Sequence, residues 1–393
     1  MSETTVNPDA LKMMSFTVFS KLEGAVTAGM IHLGDQLGLY AALAGSDTPV
    51  TVSDLAGRCG LHERWVREWA SNQVAARIVS CTDMSDPTMP LFLTAEAKCV
   101  LASPNHPAFG MGMFHRLPQT MGALREMPAS FSTGLGHDYD SHGPEGAVGI
   151  ERSFEPWNQN FLVPVVLPAL DGVVEKLKGG CSAVDIGCGA GGAAILLART
   201  FPESTFTGYD ISRHALARAE EKQQEAQVRN VRFLDPRESP LPADGSVDVV
   251  FTFDCIHDMT HPFEMMQSIR RCISPDGTWL LVDIKALDTL EQNVARNPMA
   301  SLLYGISVLS CMSSAMSAPD GAGLGTLGLP ESKAREMALA AGFSRFRRLE
   351  VEHSVNAFYE VRPCDGQKPD AAPDQVRRRG GCPPGPGLDQ YPV

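Results

Sequence analysis

The chain has 393 residues, of which 44% are hydrophobic and 20% are charged, so it can bury a large core and is expected to hold at least two domains. Its formal charge of −13 disfavours contact with a phosphate backbone, and no apolar run reaches the length of a membrane span. Ten cysteines lie singly without a C-x-x-C pair, and the first residues lack a basic start followed by an apolar core, so we expect reduced thiols, no zinc and a cytoplasmic location.

Residues 1–103 are predicted to form a mainly α-helical winged-helix domain. Apolar periodicity, capping residues and turns predict these elements in order: two helices within residues 8–44, the second over 29–43; a short helix capped by Thr51 or Ser53; a helix over 61–76 after a turn at Gly60; strands within 77–81 and 90–94; and a helix capped by Thr94. This order is typical of a helix-turn-helix followed by a wing.

A winged helix raises the possibility of DNA binding, and the local charge argues against it. Between residues 51 and 100 the acidic residues outnumber the basic ones, and such a surface is expected to repel a duplex. Trp65 and Trp69 are four residues apart on the predicted recognition helix. This spacing favours core or dimer contacts over stacking on bases.

Residues 104–175 are predicted to be connecting helices that include a segment covering a pocket. The stretch 104–160 is too long for a simple linker, and its side chains suit the wall of a pocket for an apolar acceptor: Phe114, His115, Tyr139, Phe154 and Trp157. A second candidate wall is the methionine-rich stretch 297–325. An exposed connector and ordinary core packing are the alternatives for these two segments.

The stretch from Ala183 to Asp210 predicts a strand, a glycine turn, a helix and a second strand that ends in an acid. Gly187, Gly189 and Gly191 permit positive φ and let a ligand touch bare backbone. The helix that follows points its free N–H groups back at the turn. Asp210 lies where an acid in a doubly wound sheet accepts hydrogen bonds from ribose hydroxyls. We therefore predict a nucleoside-binding crevice.

Two classes of nucleoside ligand fit this unit. Gly187, Gly189 and Gly192 satisfy the dinucleotide spacing G-x-G-x-x-G. Asp185, however, places a carboxylate at the end of the first strand, where it repels phosphate and favours a cation. S-adenosylmethionine has an ammonium group that pairs with acids, a carboxylate for the helix N-terminus and no phosphate, so it is the favoured ligand.

The run Asp185-Ile186-Gly187-Cys188-Gly189-Ala190-Gly191 resembles the first motif, D/E-x-G-x-G-x-G, of the class I S-adenosylmethionine-dependent methyltransferases. The resemblance covers roughly residues 160–362 and implies an α/β fold with a Rossmann-like, seven-stranded sheet. The remaining strands are predicted in the order that this fold requires, over residues 230–235, 245–258 and 274–284 and as a closing pair within 343–363.

The resemblance also assigns residues to the cofactor. In this family an acid after the third strand holds the adenine amino group, which implies Asp235, and the end of the fourth strand lines the methyl-transfer site, which implies Phe253 and Asp254. The candidate cofactor-binding residues are Asp185, Gly187, Gly189, Gly191, Asp210, Ile211, Asp235, Phe253 and Asp254.

The candidate catalytic residues are His257 and Asp258, which follow the fourth strand. Methyl transfer to a hydroxyl needs a base near the methyl group, and a histidine whose second nitrogen is held by Asp258 or another acid suits that task. Plant phenolic O-methyltransferases carry their base in an H-D-W element at this point. Here Met259 replaces the tryptophan, and a pocket-lining role for His257 is the alternative.

Together these observations predict an S-adenosylmethionine-dependent methyltransferase that acts on an oxygen nucleophile of a small organic acceptor, without a metal. The segments LGLYAAL, TVSDLA and LTAEAKCVL resemble the N-terminal module of small-molecule O-methyltransferases, which implies a homodimer. Residues 176–362 are predicted to form the methyltransferase domain and 363–393 a disordered tail. The alternatives are a metabolite- or S-adenosylmethionine-sensing regulator that binds DNA through its wing, and an NAD(P)-dependent oxidoreductase.

Overall fold

The computed structural model describes residues 6–363, so the tail predicted for 363–393 lies outside the described residues beyond its first position. The N-terminal region consists of α1 (Pro8–Gln36), α2 (Leu39–Ala44), α3 (Val52–Cys59), α4 (Glu63–Ala75), β1 (Ser80–Cys81), β2 (Leu91–Phe92) and α5 (Ala95–Ala102). The helices α3 and α4 form the helix-turn-helix, and β1 pairs with β2 in antiparallel register as the wing. The predicted winged-helix architecture is confirmed.

Local chemistry sets the ends of these helices as the sequence indicated. The hydroxyl of Thr51 accepts a hydrogen bond from the N–H of Asp54 (3.1 Å) at the start of α3, and Thr94 caps α5 in the same way. Gly60 adopts a left-handed conformation, with φ of 65°, where α3 ends.

One detail of the predicted N-terminal domain is wrong, and the two tryptophans of α4 differ in burial. The chain remains in α1 as far as Gln36, so residues 29–43 are not one helix, and Gly38 redirects the chain into α2 with φ of 70°. Trp69 is buried in the core as expected. Trp65 is 79% exposed and does not contribute to that core.

The connection between the two domains is helical. It contains α6 (Met111–His115), α7 (Leu117–Gly122), α8 (Met127–Thr133), α9 (Gly143–Trp157), a π-helical stretch (Asn158–Val166) and α10 (Val173–Lys178). Pro164 cannot donate a backbone hydrogen bond, which suits an irregular helical stretch. An ion pair between Arg152 and Asp35 (2.7 Å) ties α9 to α1.

The second domain is built on one seven-stranded sheet, as predicted. Its strands are β3 (Ser182–Ile186), β4 (Thr205–Tyr209), β5 (Val231–Leu234), β6 (Val247–Phe253), β7 (Ile273–Ile284), β8 (Arg345–Arg348) and β9 (Asn356–Arg362). Their order in the sheet is β5-β4-β3-β6-β7-β9-β8, with β3 to β7 parallel and β9 antiparallel to both of its neighbours. The carboxyl ends of five parallel strands therefore meet at one edge.

Helices cover both faces of this sheet. On one face lie α11 (Gly192–Thr200) and α12 (Arg213–Ala226), and on the other α13 (Pro262–Cys272) and α17 (Glu331–Ala340). Between β7 and α17 the chain forms α14 (Leu290–Arg296), α15 (Ala300–Leu309) and α16 (Cys311–Ala315). Alternate side chains of β7 enter the two cores, with Leu280 and Val282 on one face and Trp279 and Leu281 on the other. Because both faces are buried, the register of the strand is fixed.

Strand β9 is held at its outer end by a buried carboxylate. Glu360 is fully buried and forms ion pairs with Arg345 (3.2 Å), Arg347 (2.9 Å) and Arg362 (2.8 Å). It also accepts a hydrogen bond from the N–H of Asp171 (3.0 Å), which lies before α10. This network joins β8, β9 and the connecting segment.

Replacing Glu360 is therefore expected to destabilise the sheet domain. Glu360→Ala leaves three guanidinium groups without their shared partner and is predicted to lower the free energy of unfolding by about 3–5 kcal/mol. The control Glu68→Ala removes an exposed pair with Arg64 and is predicted to cost about 1 kcal/mol or less. Urea unfolding of both variants measures the difference, and equal effects would contradict the role given to Glu360.

Candidate active site

The turn after β3 presents bare backbone to the crevice. Gly187, Gly189 and Gly191 all have positive φ, at 70°, 53° and 72°. A Cβ atom on Gly187 would lie 2.6 Å from the Cβ of Cys255, and one on Gly191 would lie 2.5 Å from the ring of Phe233. Side chains are thus excluded at these two glycines by both conformation and space.

Asp185, the last-but-one residue of β3, is a buried carboxylate that lacks a partner. It is 2% exposed, and neither of its oxygens accepts a hydrogen bond within the described part of the chain. Burial, reinforced by the charge of Asp210, raises the pKa of Asp185 well above its usual value. A carboxylate that is buried without a hydrogen-bond partner is complementary to a cationic donor, and the ammonium group of S-adenosylmethionine fits that requirement.

Asp210 follows β4 and is joined to the glycine turn. One carboxylate oxygen accepts from the N–H of Gly189 and the other from the N–H of Ser212, each at 2.8 Å. Burial raises the pKa of Asp210, although these backbone donors act in the opposite direction. The next side chain, Ile211, is 45% exposed. The structure therefore places Asp210 and Ile211 beside the glycine turn, where the sequence predicted them.

Asp235, after β5, is already engaged. The guanidinium of Arg237 donates hydrogen bonds to both carboxylate oxygens of Asp235, the shortest from Nη2 to Oδ2 at 2.5 Å. These bonds hold the pKa of Asp235 below its usual range. A second donor from Arg237 reaches the carbonyl of Ile211 (2.7 Å). Any adenine contact with Asp235 would have to share this carboxylate with Arg237, a competitor that the sequence interpretation did not include.

The two residues at the end of β6 differ in character. Phe253 is 9% exposed and packs edge-on against Trp157 at 5.4 Å, so most of its ring belongs to the core. Asp254 has a positive φ of 49° and accepts a hydrogen bond from the side chain of Asn356 (2.5 Å). Burial, followed by the charge of Asp283, raises the pKa of Asp254 to about 7.

His257 lies in a short helical turn after β6 and is paired with Asp283. Its Nδ1 is 2.6 Å from Oδ1 of Asp283 at the end of β7, and both residues are about 2% exposed or less. Because a carboxylate only accepts, the Nδ1–H donates and Nε2 is the nitrogen free to exchange a proton. Burial opposes the charged imidazolium, but Asp283 outweighs it and raises the pKa of His257 well above its usual value.

Of the two options for the second nitrogen of His257, Asp258 or another acid, the structure shows the other acid, because Asp283 occupies that position. Asp258 makes no side-chain hydrogen bond within the described residues, and burial is the main cause that raises its pKa to about 7. It lies close to His257 together with Cys311. One potential ligand atom from each of His257, Asp258 and Cys311 falls within 4.8 Å of the others, a spacing that would suit a metal ion.

The two predicted walls cover different parts of the crevice. Tyr139 and His142 line a small cavity with Gly189 and Ala190, so the tip of the connecting segment covers the glycine turn. The carboxylate of Asp140 anchors this tip through Ser212 (3.1 Å) and Arg213 (2.8 Å). The segment 297–325 covers the turn after β6, where the N–H of Gly325 donates to the carbonyl of His257 (3.0 Å).

The other side chains proposed for the first wall lie elsewhere. Trp157 is buried in the sheet core, with Phe154 packed beside it. Phe114 packs with the N-terminal core, and His115 pairs with Glu145 (2.9 Å). The reason is that α6 packs against α1 and α9, whereas α9 also packs against α11 and α12, so their apolar residues serve helix packing.

Three site residues were missed from the sequence. Asp283 follows the apolar run 279–282 near the end of β7, and an acid at that edge was a usable signal. Cys311 and Arg116 carried none, since each reaches the crevice only through tertiary packing. Arg116 is 7% exposed and lies behind Ser310, to which it donates a hydrogen bond (3.0 Å).

Comparison with protein families agrees with the architecture. Residues 177–322 match the model of a methyltransferase domain, and residues 25–97 match that of an Rv2258c-like winged HTH domain. The chain therefore has a methyltransferase domain behind a winged helix-turn-helix domain, and S-adenosylmethionine is the cofactor that these matches support. The fold class predicted from the sequence is confirmed.

Two curated relatives match part of the chain. A phthiotriol/phenolphthiotriol dimycocerosates methyltransferase of Mycobacterium ulcerans is 26% identical over 123 residues, which are 30% of this chain and 44% of the relative. A fatty-acid O-methyltransferase of Mycolicibacterium smegmatis is 28% identical over 102 residues, 26% of this chain and 36% of the relative. The matches thus span less than half of each relative's length.

Solved structures resemble nearly the whole chain. The mitomycin 7-O-methyltransferase superposes with a TM-score of 0.63 at 20% identity, covering 91% of this chain and 99% of the other. Human N-acetylserotonin methyltransferase, solved in complex with SAM, gives 0.62 at 16% identity, covering 92% and 99%. At such identities the likeness concerns the fold.

Neither alternative function is favoured by these findings. On α4 the two arginines that a DNA-binding helix would offer are paired within the helix, Arg64 with Glu68 (2.6 Å) and Arg67 with Glu63 (2.8 Å). Among residues 6–363, no helix combines the length and apolar composition that crossing a membrane requires.

The unpartnered Asp185 yields a test with opposite effects on stability and binding. Its pKa is higher in the folded than in the unfolded chain, so the ligand-free protein loses stability as pH rises above about 4. Asp185→Asn, which cannot ionise, is predicted to melt at a higher temperature than the parent at pH 8, yet to bind S-adenosylhomocysteine more weakly by about tenfold or more.

Thermal unfolding between pH 5 and pH 8, with and without S-adenosylhomocysteine, measures both effects. Asp47→Asn, at an exposed loop carboxylate, is the matched control and is expected to change neither. If Asp185→Asn melts at a lower temperature than the parent at pH 8 and binds S-adenosylhomocysteine equally well, the role of Asp185 is refuted.

Proposed function

We propose that the protein is an S-adenosylmethionine-dependent methyltransferase that methylates a hydroxyl group of a small organic acceptor. The observation that carries this proposal is the buried pair of His257 and Asp283, which lies at the same sheet edge as the unpartnered carboxylate of Asp185. The pair is suited to remove a proton, and the carboxylate is suited to hold a cationic cofactor.

In this proposal the cofactor is held by residues at the carboxyl ends of four strands, β3 to β6. Asp185 binds the ammonium group, the bare backbone from Gly187 to Gly191 and the N-terminus of α11 accommodate the carboxylate, and Asp210 binds the ribose. Asp235, Ile211, Phe253 and Asp254 complete the candidate set. When bound, S-adenosylmethionine supplies an electrophilic methyl group on a sulfonium.

His257 acts as the base in this proposal. Its Nε2 accepts the proton of the acceptor hydroxyl, while Asp283 fixes the ring through Nδ1 and stabilises the imidazolium that forms. Asp283 is thus a positioning residue. Asp258 and Cys311 lie close to His257, and in this proposal they contact the acceptor.

The acceptor is proposed to enter between the two walls that cover the crevice. The tip at Tyr139 and His142 closes the cofactor side, and α15 and α16 close the side next to His257. Both curated relatives are named as methyltransferases, one of them an O-methyltransferase of fatty acids, which supports an oxygen acceptor. We also propose that residues 1–103, 104–175 and 176–362 are three functional units: the winged-helix domain, the connecting segment that covers the crevice, and the methyltransferase domain.

Variants of the His257 pair test the base. His257→Ala is predicted to lower kcat by about 10²- to 10⁴-fold while the affinity for S-adenosylhomocysteine changes little. Because Asp283 raises the pKa of His257, kcat/KM of the parent should rise with pH as the neutral imidazole forms. Asp283→Asn should move that rise to lower pH and reduce the plateau.

A stopped assay with labelled S-adenosylmethionine and a cell extract as the source of acceptor supplies these rates. Unchanged turnover in His257→Ala would refute the base. A pH profile that Asp283→Asn leaves in place would refute the positioning role of Asp283, even if the rate fell.

We also propose that the protein is a homodimer formed through α1. The first half of this helix contacts no other part of the described chain closely enough to bury its residues, and its apolar side chains are 53–70% exposed: Leu11, Met13, Met14, Phe16, Val18, Phe19, Leu22 and Val26. An apolar surface of this extent is typical of a subunit interface.

A cytoplasmic location is proposed from the unpaired state of the eight described cysteines.

A double substitution on α1 tests the dimer. Phe16→Glu combined with Phe19→Glu places two charges in the proposed interface and should yield a monomer in light scattering coupled to size exclusion. Trp65→Glu changes an equally exposed aromatic residue on α4 and should leave the dimer intact. A monomeric parent protein at about 100 μM, or a dimeric double variant, would contradict the proposal.

A further inference from the structure

Arg116 is a buried cation without an acidic partner. It lies between α6 and α7, is 7% exposed, and has its stem packed against the backbone of α9 at Gly149. Its Nη2 donates to the hydroxyl of Ser310 (3.0 Å) and its Nε approaches that of Thr120 (3.4 Å). Within residues 6–363 no carboxylate lies within ion-pair distance of it.

Other partly buried arginines of this chain differ in this respect. Arg152 is paired with Asp35 (2.7 Å), Arg218 with Glu151 (2.9 Å) and Arg347 with Glu360 (2.9 Å). An arginine does not lose its proton in a protein, so burial cannot neutralise it. A buried guanidinium with only neutral partners is therefore suited to receive an anion.

The surroundings of Arg116 extend this arrangement into a small polar site. The hydroxyl of Ser310 also contacts Nε2 of His142 (3.0 Å), whose Nδ1 is bound by the side chain of Gln119 (3.0 Å). Burial, with a contribution from Arg116, lowers the pKa of His142 to about 4, so this imidazole is neutral. The site thus offers one fixed positive charge and hydrogen-bonding groups that are themselves held in place.

The site adjoins the place where the acceptor reacts. Ser310 is followed directly by Cys311, whose thiol lies with His257 and Asp258 in one cluster. His142 lines the cavity that contains Gly189 of the cofactor turn. The charge of Arg116 acts to lower the pKa of Asp258, the acid on this side of the crevice, yet the two side chains form no ion pair.

We propose that Arg116 and Ser310 bind a carboxylate of the acceptor, so that the acceptor is a hydroxy acid that is methylated on its hydroxyl group. This inference rests on the proposed function and specifies its substrate class. A carboxylate nucleophile is ionised at neutral pH and needs no base, whereas the pair of His257 and Asp283 serves a hydroxyl. The base therefore matches the hydroxyl group of the acceptor, and the anion site matches its carboxylate.

The reaction balances without a further reagent. The hydroxyl oxygen of the acceptor forms a bond to the methyl carbon, its proton moves to Nε2 of His257, and the bond from that carbon to the sulfonium sulfur breaks with its electron pair kept by sulfur. The carboxylate bound by Arg116 is unchanged, and the product is a methyl ether.

Binding to the full-length protein saturated with S-adenosylhomocysteine tests the anion site. The probes are 4-hydroxybenzoate and 12-hydroxydodecanoate, each compared by calorimetry with its neutral amide. The parent should bind at least one acid tenfold or more tightly than its amide, and Arg116→Gln should reduce that ratio to about twofold or less. Arg116→Lys should keep part of it, and Arg125→Gln, an exposed neighbour, should keep all of it.

The outcomes separate this inference from the proposed function. If the parent fails to bind S-adenosylhomocysteine, the proposed function is refuted; if it binds it but prefers neither acid over its amide, or if Arg116→Gln keeps the preference, the anion site is refuted. Should Arg116→Gln fail to fold, Ser310→Ala decides, with an expected three- to tenfold loss of preference; an unchanged preference refutes the site.

The product tests the second half of the inference. With labelled S-adenosylmethionine and whichever hydroxy acid is turned over, the label should remain in the product after treatment with alkali, as in an ether. Label released as methanol would identify an ester and would overturn the assignment of the hydroxyl as the methylated group.

Discussion

The structure depends on a carboxylate, Asp185, that the fold buries without giving it a partner. Parallel strands bring their carboxyl ends to one edge, and β3, the middle one of the five parallel strands, places Asp185 there beneath the glycine turn. Burying such a group costs free energy unless a cation compensates it. The residues at the neighbouring strand ends surround the space in which that cation would lie.

The same edge carries several further acids and few cations. Asp210, Asp254 and Asp258 all have raised pKa values because they are buried near other acids, while Asp283 raises the pKa of His257. A positively charged cofactor relieves this repulsion, and a dinucleotide phosphate would increase it. The electrostatics of the crevice thus agree with the class of fold to which the chain belongs.

The sheet and the glycine turn could be predicted from the sequence because their signals are local. A short apolar run, glycines at fixed offsets and an acid after the next strand are all contained between Ala183 and Asp210. The end of α1 was misplaced because apolar periodicity continues through the break at Gly38. The winged-helix elements were recoverable because capping residues such as Thr51 mark them.

The partners within the site could not be predicted, because they depend on which distant segments meet. Asp283 reaches His257 only because β7 lies beside β6, and Arg237 binds the carboxylate of Asp235, two residues before it, in a loop that has no apolar pattern. Arg116 is separated from Ser310 by 194 positions in the sequence. The most direct measurement of the central claim is calorimetric titration with S-adenosylhomocysteine and with 5′-methylthioadenosine, which lacks the amino-acid group that Asp185 is held to bind. The account predicts tighter binding of the former by about 100-fold; equal affinities, or no binding of S-adenosylhomocysteine, would contradict it.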